Sequence, residues 1–122
     1  MESLHISGTD ETPEILLDRN SGRFEISGRS LPEDSVEFYK PVLEWLEHYK
    51  KKPNSQTEFA FKLDYINTAS SKLIQDILLS LEKINGVKVL WYHQKDDEDM
   101  EAMGREYAEL INLPFDFRSV SP

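Results

Sequence analysis

Apolar positions along the chain change period several times, and each change marks an element. Glu58-Phe59-Ala60-Phe61-Lys62-Leu63-Asp64-Tyr65-Ile66 alternates with period two, so Phe59, Phe61, Leu63 and Tyr65 share one face of a strand. After Asn67-Thr68-Ala69-Ser70-Ser71 the period becomes helical: Leu73, Ile74, Ile77, Leu78, Leu81 and Ile84 recur at spacings of three and four, and Asn85-Gly86 predicts a C-cap. Val87-Lys88-Val89-Leu90-Trp91-Tyr92 is β-branched and aromatic and predicts a second strand. Residues 57 to 92 therefore form a βαβ unit, which places its two strands parallel.

The flanks follow the same logic. Residues 13 to 27 carry two apolar runs around Asn20-Ser21-Gly22, a cluster able to supply positive φ, and predict a β-hairpin. Leu4 and Ile6 outline a shorter strand, limited by Gly8 and Pro13. From Ser35, the residues Tyr39, Val42, Leu43, Leu46 and Tyr49 or Lys50, widened by Phe38 and Trp45, make one helical face. Asp34 or Ser35 is its N-cap, Pro41 either kinks it or ends a loose first turn, and Lys50-Lys51-Lys52-Pro53 closes it. A third helix begins at Asp96-Asp97-Glu98-Asp99 and buries Met100, Met103, Tyr107, Leu110 and Ile111; Phe115 and Phe117 mark a last short strand. The pattern predicts one α/β domain over residues 1–122, with a mixed sheet of four or five strands and three helices.

Composition narrows the chemistry. There are no cysteines, which removes disulfides, thiolate metal sites and cysteine nucleophiles. Fourteen basic against 23 acidic residues leave a formal charge of −9, which repels nucleic acid and anionic membrane surfaces alike. No apolar run is long enough to span a bilayer and the N-terminus lacks a signal pattern, so the expected compartment is the cytoplasm. Glycines 8, 22, 28, 86 and 104 make no phosphate-binding loop. His5, His48 and His93 share no metal-ligand spacing, and the acidic cluster at 96–101 lacks the alternation and central glycine of a calcium loop. The expectation is a non-enzymatic protein without metal or cofactor. An enzyme using carboxylates and His93 around a metal is the rival that a concave, ligand-lined pocket would favour.

The informative stretch is the corner Asn67-Thr68-Ala69-Ser70-Ser71, where a strongly apolar strand meets a strongly apolar helix through small polar residues. Thr68 reads as an N-cap, with Asn67 and Ser70 as competitors. A phosphate at this corner would gain the helix dipole and free N–H donors while adding about two negative charges to an exposed edge. Residue pattern alone does not choose between cap and switch.

Three stretches carry a family resemblance: Leu4-His5-Ile6 with Gly8-Thr9 and Thr12-Pro13, Gly28-Arg29-Ser30-Leu31-Pro32-Glu33-Asp34-Ser35, and Leu63-Asp64-Tyr65-Ile66-Asn67-Thr68-Ala69-Ser70-Ser71-Lys72. Together they resemble the SiaC family of regulatory phosphoproteins, which are similar in fold to STAS domains and anti-sigma-factor antagonists. The resemblance implies a STAS-like domain with phosphorylation at Thr68, the threonine of the family's Asn-Thr-(Ser/Ala)-Ser motif; Ala69 stands where serine is frequent. It implies a serine/threonine protein kinase of the histidine-kinase-like ATPase type and a PP2C-type phosphatase as partners. It also implies a diguanylate cyclase effector bound and activated by the unphosphorylated form, in cyclic-di-GMP and biofilm signalling. Asn67, Ser70, Ser71 and Lys72 are the expected partner-binding residues, joined by exposed aromatics of the first helix. Ser70 and Ser71 are the next acceptors in line. The rival from another class is a scaffold or dimerisation module in which Thr68 only caps.

Overall fold

The computed structural model describes residues 2–121. The chain runs β1 (Leu4–Ile6), β2 (Glu14–Asp18), β3 (Arg23–Ser30), α1 (Ser35–Tyr49), β4 (Thr57–Ile66), α2 (Thr68–Glu82), β5 (Val87–Gln94), α3 (Glu98–Leu110) and β6 (Phe115–Val120). All strands join one mixed sheet in sequence order, β1-β2-β3-β4-β5-β6. The first two pairings are antiparallel and the last three parallel, each parallel step being crossed by a helix. The α/β class and three helices stand as expected. The sheet has six strands rather than four or five, because the three-residue β1 does pair with β2 and the Phe115 segment extends to Val120 along β5.

Sequence accounts for most of the elements. Gly22, at φ 71°, closes the β2–β3 hairpin in a conformation that side chains with a Cβ rarely adopt. β3 continues beyond the predicted hairpin to Ser30 through an irregularity at Gly28/Arg29, where Gly28 takes φ 111°. Asp34 caps α1, accepting from the Glu37 N–H, and Pro41 is accommodated inside the helix on its exposed side. α2 closes at Lys83, so Asn85-Gly86 forms the turn into β5 rather than the C-cap itself. Leu110, expected in the buried stripe of α3, is 67% exposed, and Ile111 fills the core beyond the helix end in its place.

A chain of rings crosses the helix-covered face of the sheet. Phe24, Phe59, Phe61 and Trp91 are successive neighbours with centroids 5.0 to 6.4 Å apart. Trp45 and Tyr49 of α1 pack on Phe24 at one end, and Tyr107 of α3 packs edge-on to Trp91 at the other. Burying rings of this size, each worth about 2 kcal/mol or more, fixes how α1 and α3 sit on the strands. α2 is held between them by Leu73, Ile74, Ile77, Leu78 and Leu81, all buried.

Candidate functional site

The β4–α2 corner is built from its backbone outward. Asn67, not Thr68, is the N-cap: its backbone is extended (φ −77°, ψ 170°) and its side-chain oxygen accepts from the Ser70 N–H at 2.8 Å. The Asn67 N–H donates to the Ser30 carbonyl at 2.9 Å, which ties the corner to the end of β3. The physical reason is position: Thr68 already lies in the helix as its first residue, so its side chain projects outward instead of turning back over the free N–H groups.

Neighbouring hydroxyls divide sharply. Thr68 and Ala69 are exposed, whereas Ser70 has no accessible surface. Ser70 Oγ accepts from Ser30 Oγ at 2.9 Å and lies 3.4 Å from Ser35 Oγ, while Ser30 Oγ and the Tyr39 hydroxyl are 2.5 Å apart. With Ser30 donating to Ser70, the Tyr39 hydroxyl donates to Ser30. This buried network joins β3, α1 and α2 beneath the corner, and burial pushes the Tyr39 phenol up to about 12. The expectation that Ser70 touches a partner or substitutes as acceptor is therefore corrected: its hydroxyl is sealed and engaged. Ser71 is half-buried and donates its hydroxyl to the Thr68 carbonyl at 2.7 Å.

Beyond Thr68 the surface is grooved on both sides. One groove of about 450 Å³ runs between α2 and α3, lined by Thr68, Ser71, Lys72, Gln75, Met103 and Leu110 among others. At its wall the Tyr107 hydroxyl donates to the Ser71 carbonyl at 2.6 Å, fastening α3 to the first turn of α2. The other, about 770 Å³, separates the N-terminal ends of α1 and α2 and places Glu33, Asp34 and Val36 opposite Ala69, Lys72 and Leu73. Lys72 is exposed, borders both grooves and pairs with Asp76 at 2.7 Å. Asn67, Thr68, Ser71 and Lys72 thus come together on one corner, and Ser70 lies beneath it.

The aromatic residues of α1 do not belong to this surface. Tyr39, Trp45 and Tyr49 are buried and Phe38 is half-buried; Val36 is the exposed apolar residue there, at 67%. Pattern reading also missed Leu110 and Met103, because a residue at the rim of a helical stripe looks the same whether it faces the core or a groove. Ser30 and Ser35 did carry a signal, since both lie in the stretch before α1 that supports the family resemblance.

Electrostatics mark α2 out from its neighbours. The first turn of α1 holds Glu37 and that of α3 holds Glu98, Asp99 and Glu101, whereas α2 has no acid in its first turn. Its N-terminal partial charge is thus left without a carboxylate in its own first turn. Among the described residues no three His, Cys, Asp or Glu side chains converge as a metal ion would require, and His93 is buried with Nδ1 2.9 Å from the Gln94 carbonyl. The rival metal enzyme has no assembled ligand set among them. Among the described residues no helix is long and apolar enough to cross a membrane.

Comparison with known proteins identifies the family and the fold. A family model described as SiaC family regulatory phosphoprotein matches residues 6–120. An uncharacterised protein of Pseudomonas aeruginosa (strain UCBPP-PA14) is 34% identical over 119 residues, covering 94% of each chain. The crystal structure of apo-SiaC from Pseudomonas aeruginosa superposes with a TM-score of 0.88 at 32% identity, covering 98% of this chain and all of that one. SiaC in the crystal structure of the diguanylate cyclase SiaD in complex with its activator SiaC, from the same organism, superposes with a TM-score of 0.89 at 32% identity over 96% of this chain and 99% of that one. With the family model spanning nearly the whole sequence and the fold shared throughout, this chain belongs to the SiaC family of regulatory phosphoproteins.

Proposed function

We propose that this protein is a partner switch in which Thr68 is the phosphate acceptor and the unphosphorylated form binds and activates a diguanylate cyclase. The observation that carries the reading is the division of hydroxyls at the β4–α2 corner: Thr68 exposed on the first residue of α2, Ser70 sealed, Ser71 turned back on the backbone. A kinase approaching this corner meets one outward hydroxyl. The Pseudomonas aeruginosa SiaC complex with SiaD supports a cyclase as the effector class.

The effector docks across the corner and the groove between α2 and α3, where Leu110 and Met103 offer apolar surface beside the hydroxyl. A phosphate on Thr68 is welcome to the helix start but not to the docked partner, which would have to desolvate about two negative charges next to Glu106. A few kcal/mol of that cost lowers affinity by orders of magnitude. Phosphorylation by a serine/threonine kinase of the histidine-kinase-like ATPase type and removal by a PP2C-type phosphatase would set the two states, in the cytoplasm.

Incubating the chain with its kinase and ATP, then measuring intact mass, tests the acceptor directly: wild type gains about 80 Da and Thr68→Ala does not. A Thr68→Ala protein phosphorylated at the wild-type rate would move the acceptor elsewhere. Thr68→Glu should fold normally yet bind the cyclase more weakly than wild type, and equal binding would show that charge at this position is not the signal.

A further inference from the structure

We propose that the β6 edge is a homodimerisation surface, at which two copies of this chain pair antiparallel about Phe117 to make a continuous twelve-stranded sheet. The argument begins with the backbone. The Val89 N–H donates to the Pro114 carbonyl at 2.9 Å and the Lys95 N–H to the Val120 carbonyl at 2.8 Å. In a parallel ladder the inward groups repeat every second residue, so Asp116 and Arg118 also bond β5, while the N–H and C=O groups of Phe115, Phe117 and Ser119 point outward. β6 is twice as long as β1 at the opposite edge and contains no proline or lysine.

Side-chain order selects the occupant. A two-fold axis through Phe117 sets Phe117 opposite Phe117 of the second copy and Phe115 opposite Ser119, all hydrogen-bonded positions, giving six backbone hydrogen bonds. The same register sets Asp116 opposite the second copy's Arg118, and Arg118 opposite its Asp116. Both residues lie on the sheet face away from α3, where Arg118 is 3.0 Å from Asp116 within the chain. Pairing extends this into four alternating charges around the axis. On the other face Phe117 lies under the Arg105 guanidinium, 3.8 Å from its ring centroid, which leaves one side of the ring line for its counterpart. A strand of unrelated sequence would meet no such reciprocal pairing. Thr68 is not part of this edge, so the dimer leaves the regulatory corner free.

Sedimentation velocity of the full chain across a wide concentration range reads the outcome. Wild type should approach twice 14.2 kDa as concentration rises. Arg118→Asp and Asp116→Arg each place like charges opposite one another twice, and each alone should weaken self-association roughly tenfold or more. Mixed in equal amounts they should form a heterodimer, because every cross-strand pair is then opposite in sign. Circular dichroism matching wild type confirms that each variant is folded. A wild type that stays at 14.2 kDa throughout, or single variants that dimerise as wild type does, overturns the proposal, as does a folded mixture with no heterodimer.

Discussion

At the scale of single residues, adjacent side chains at the β4–α2 corner have separate tasks. Asn67 holds the helix start, Thr68 faces outward and Ser70 locks the corner to β3 and α1. Stability measurements should separate them. Asn67→Ala removes the cap and should cost about 1 kcal/mol in urea unfolding, whereas Thr68→Ala should cost less than about 0.5 kcal/mol. A larger loss for Thr68→Ala would mean that Thr68 is the cap after all. Tyr39 makes a second prediction. Burial raises its pKa from 10.0 to about 12, so the neutral phenol is favoured in the folded state; the stability this contributes is complete below pH 10 and is lost as pH rises toward 12. Tyr39→Phe should be less stable than wild type at neutral pH, by about 1 kcal/mol through loss of the hydrogen bond to the Ser30 hydroxyl, which still donates to Ser70. It should then lose less than wild type between pH 10 and 12, and parallel profiles in urea midpoints would contradict the assignment.

At the scale of elements, the register of each helix on the sheet depends on a few close approaches. Gly104 of α3 is buried directly against the Trp91 indole, whose Nε1 donates to the Met100 carbonyl at 3.0 Å. A methyl there would enter the indole ring, so Gly104→Ala should lift α3 from β5 and cost about 1 to 3 kcal/mol, visible in thermal unfolding and in quenched-to-exposed Trp91 fluorescence. An unchanged melting temperature would mean that α3 tolerates the shift. This is also where the limits of reading the sequence appear. The helical run from Leu73 to Ile84 is legible because it is long and buries a full face, and the period-two run at 58–66 because Phe59, Phe61 and Leu63 are buried. Tyr65, expected on the same face, is 46% exposed, because the pairing with β3 shifts register between Leu63 and Tyr65 and the alternation breaks there. β1 was a weak signal because three residues carry too little periodicity. Leu110 was misplaced because a helical wheel reports direction, not what stands opposite. The cap stayed open among Thr68, Asn67 and Ser70 because all three are good caps, and the choice, Asn67, depends on where the helix begins.

At the scale of the whole molecule, the acidic balance would make the β4–α2 corner sensitive to added charge. A phosphate on Thr68 would take the chain from −9 to about −11, concentrated at the one helix start that carries no acid in its first turn. The hydroxyl arrangement and the Ser30–Ser70–Tyr39 network were not legible in the pattern, since they join residues 9 to 40 positions apart. The proposal of Thr68 as acceptor rests on family resemblance, and its exposure is seen in the fold. The most direct measurement of the switch is the affinity of a diguanylate cyclase for this chain, free and phosphorylated at Thr68, with cyclase activity read in the same samples. The account predicts tight binding and stimulation by the free form and an affinity at least about a hundredfold lower after phosphorylation. Equal affinity and equal stimulation by the two forms would contradict it.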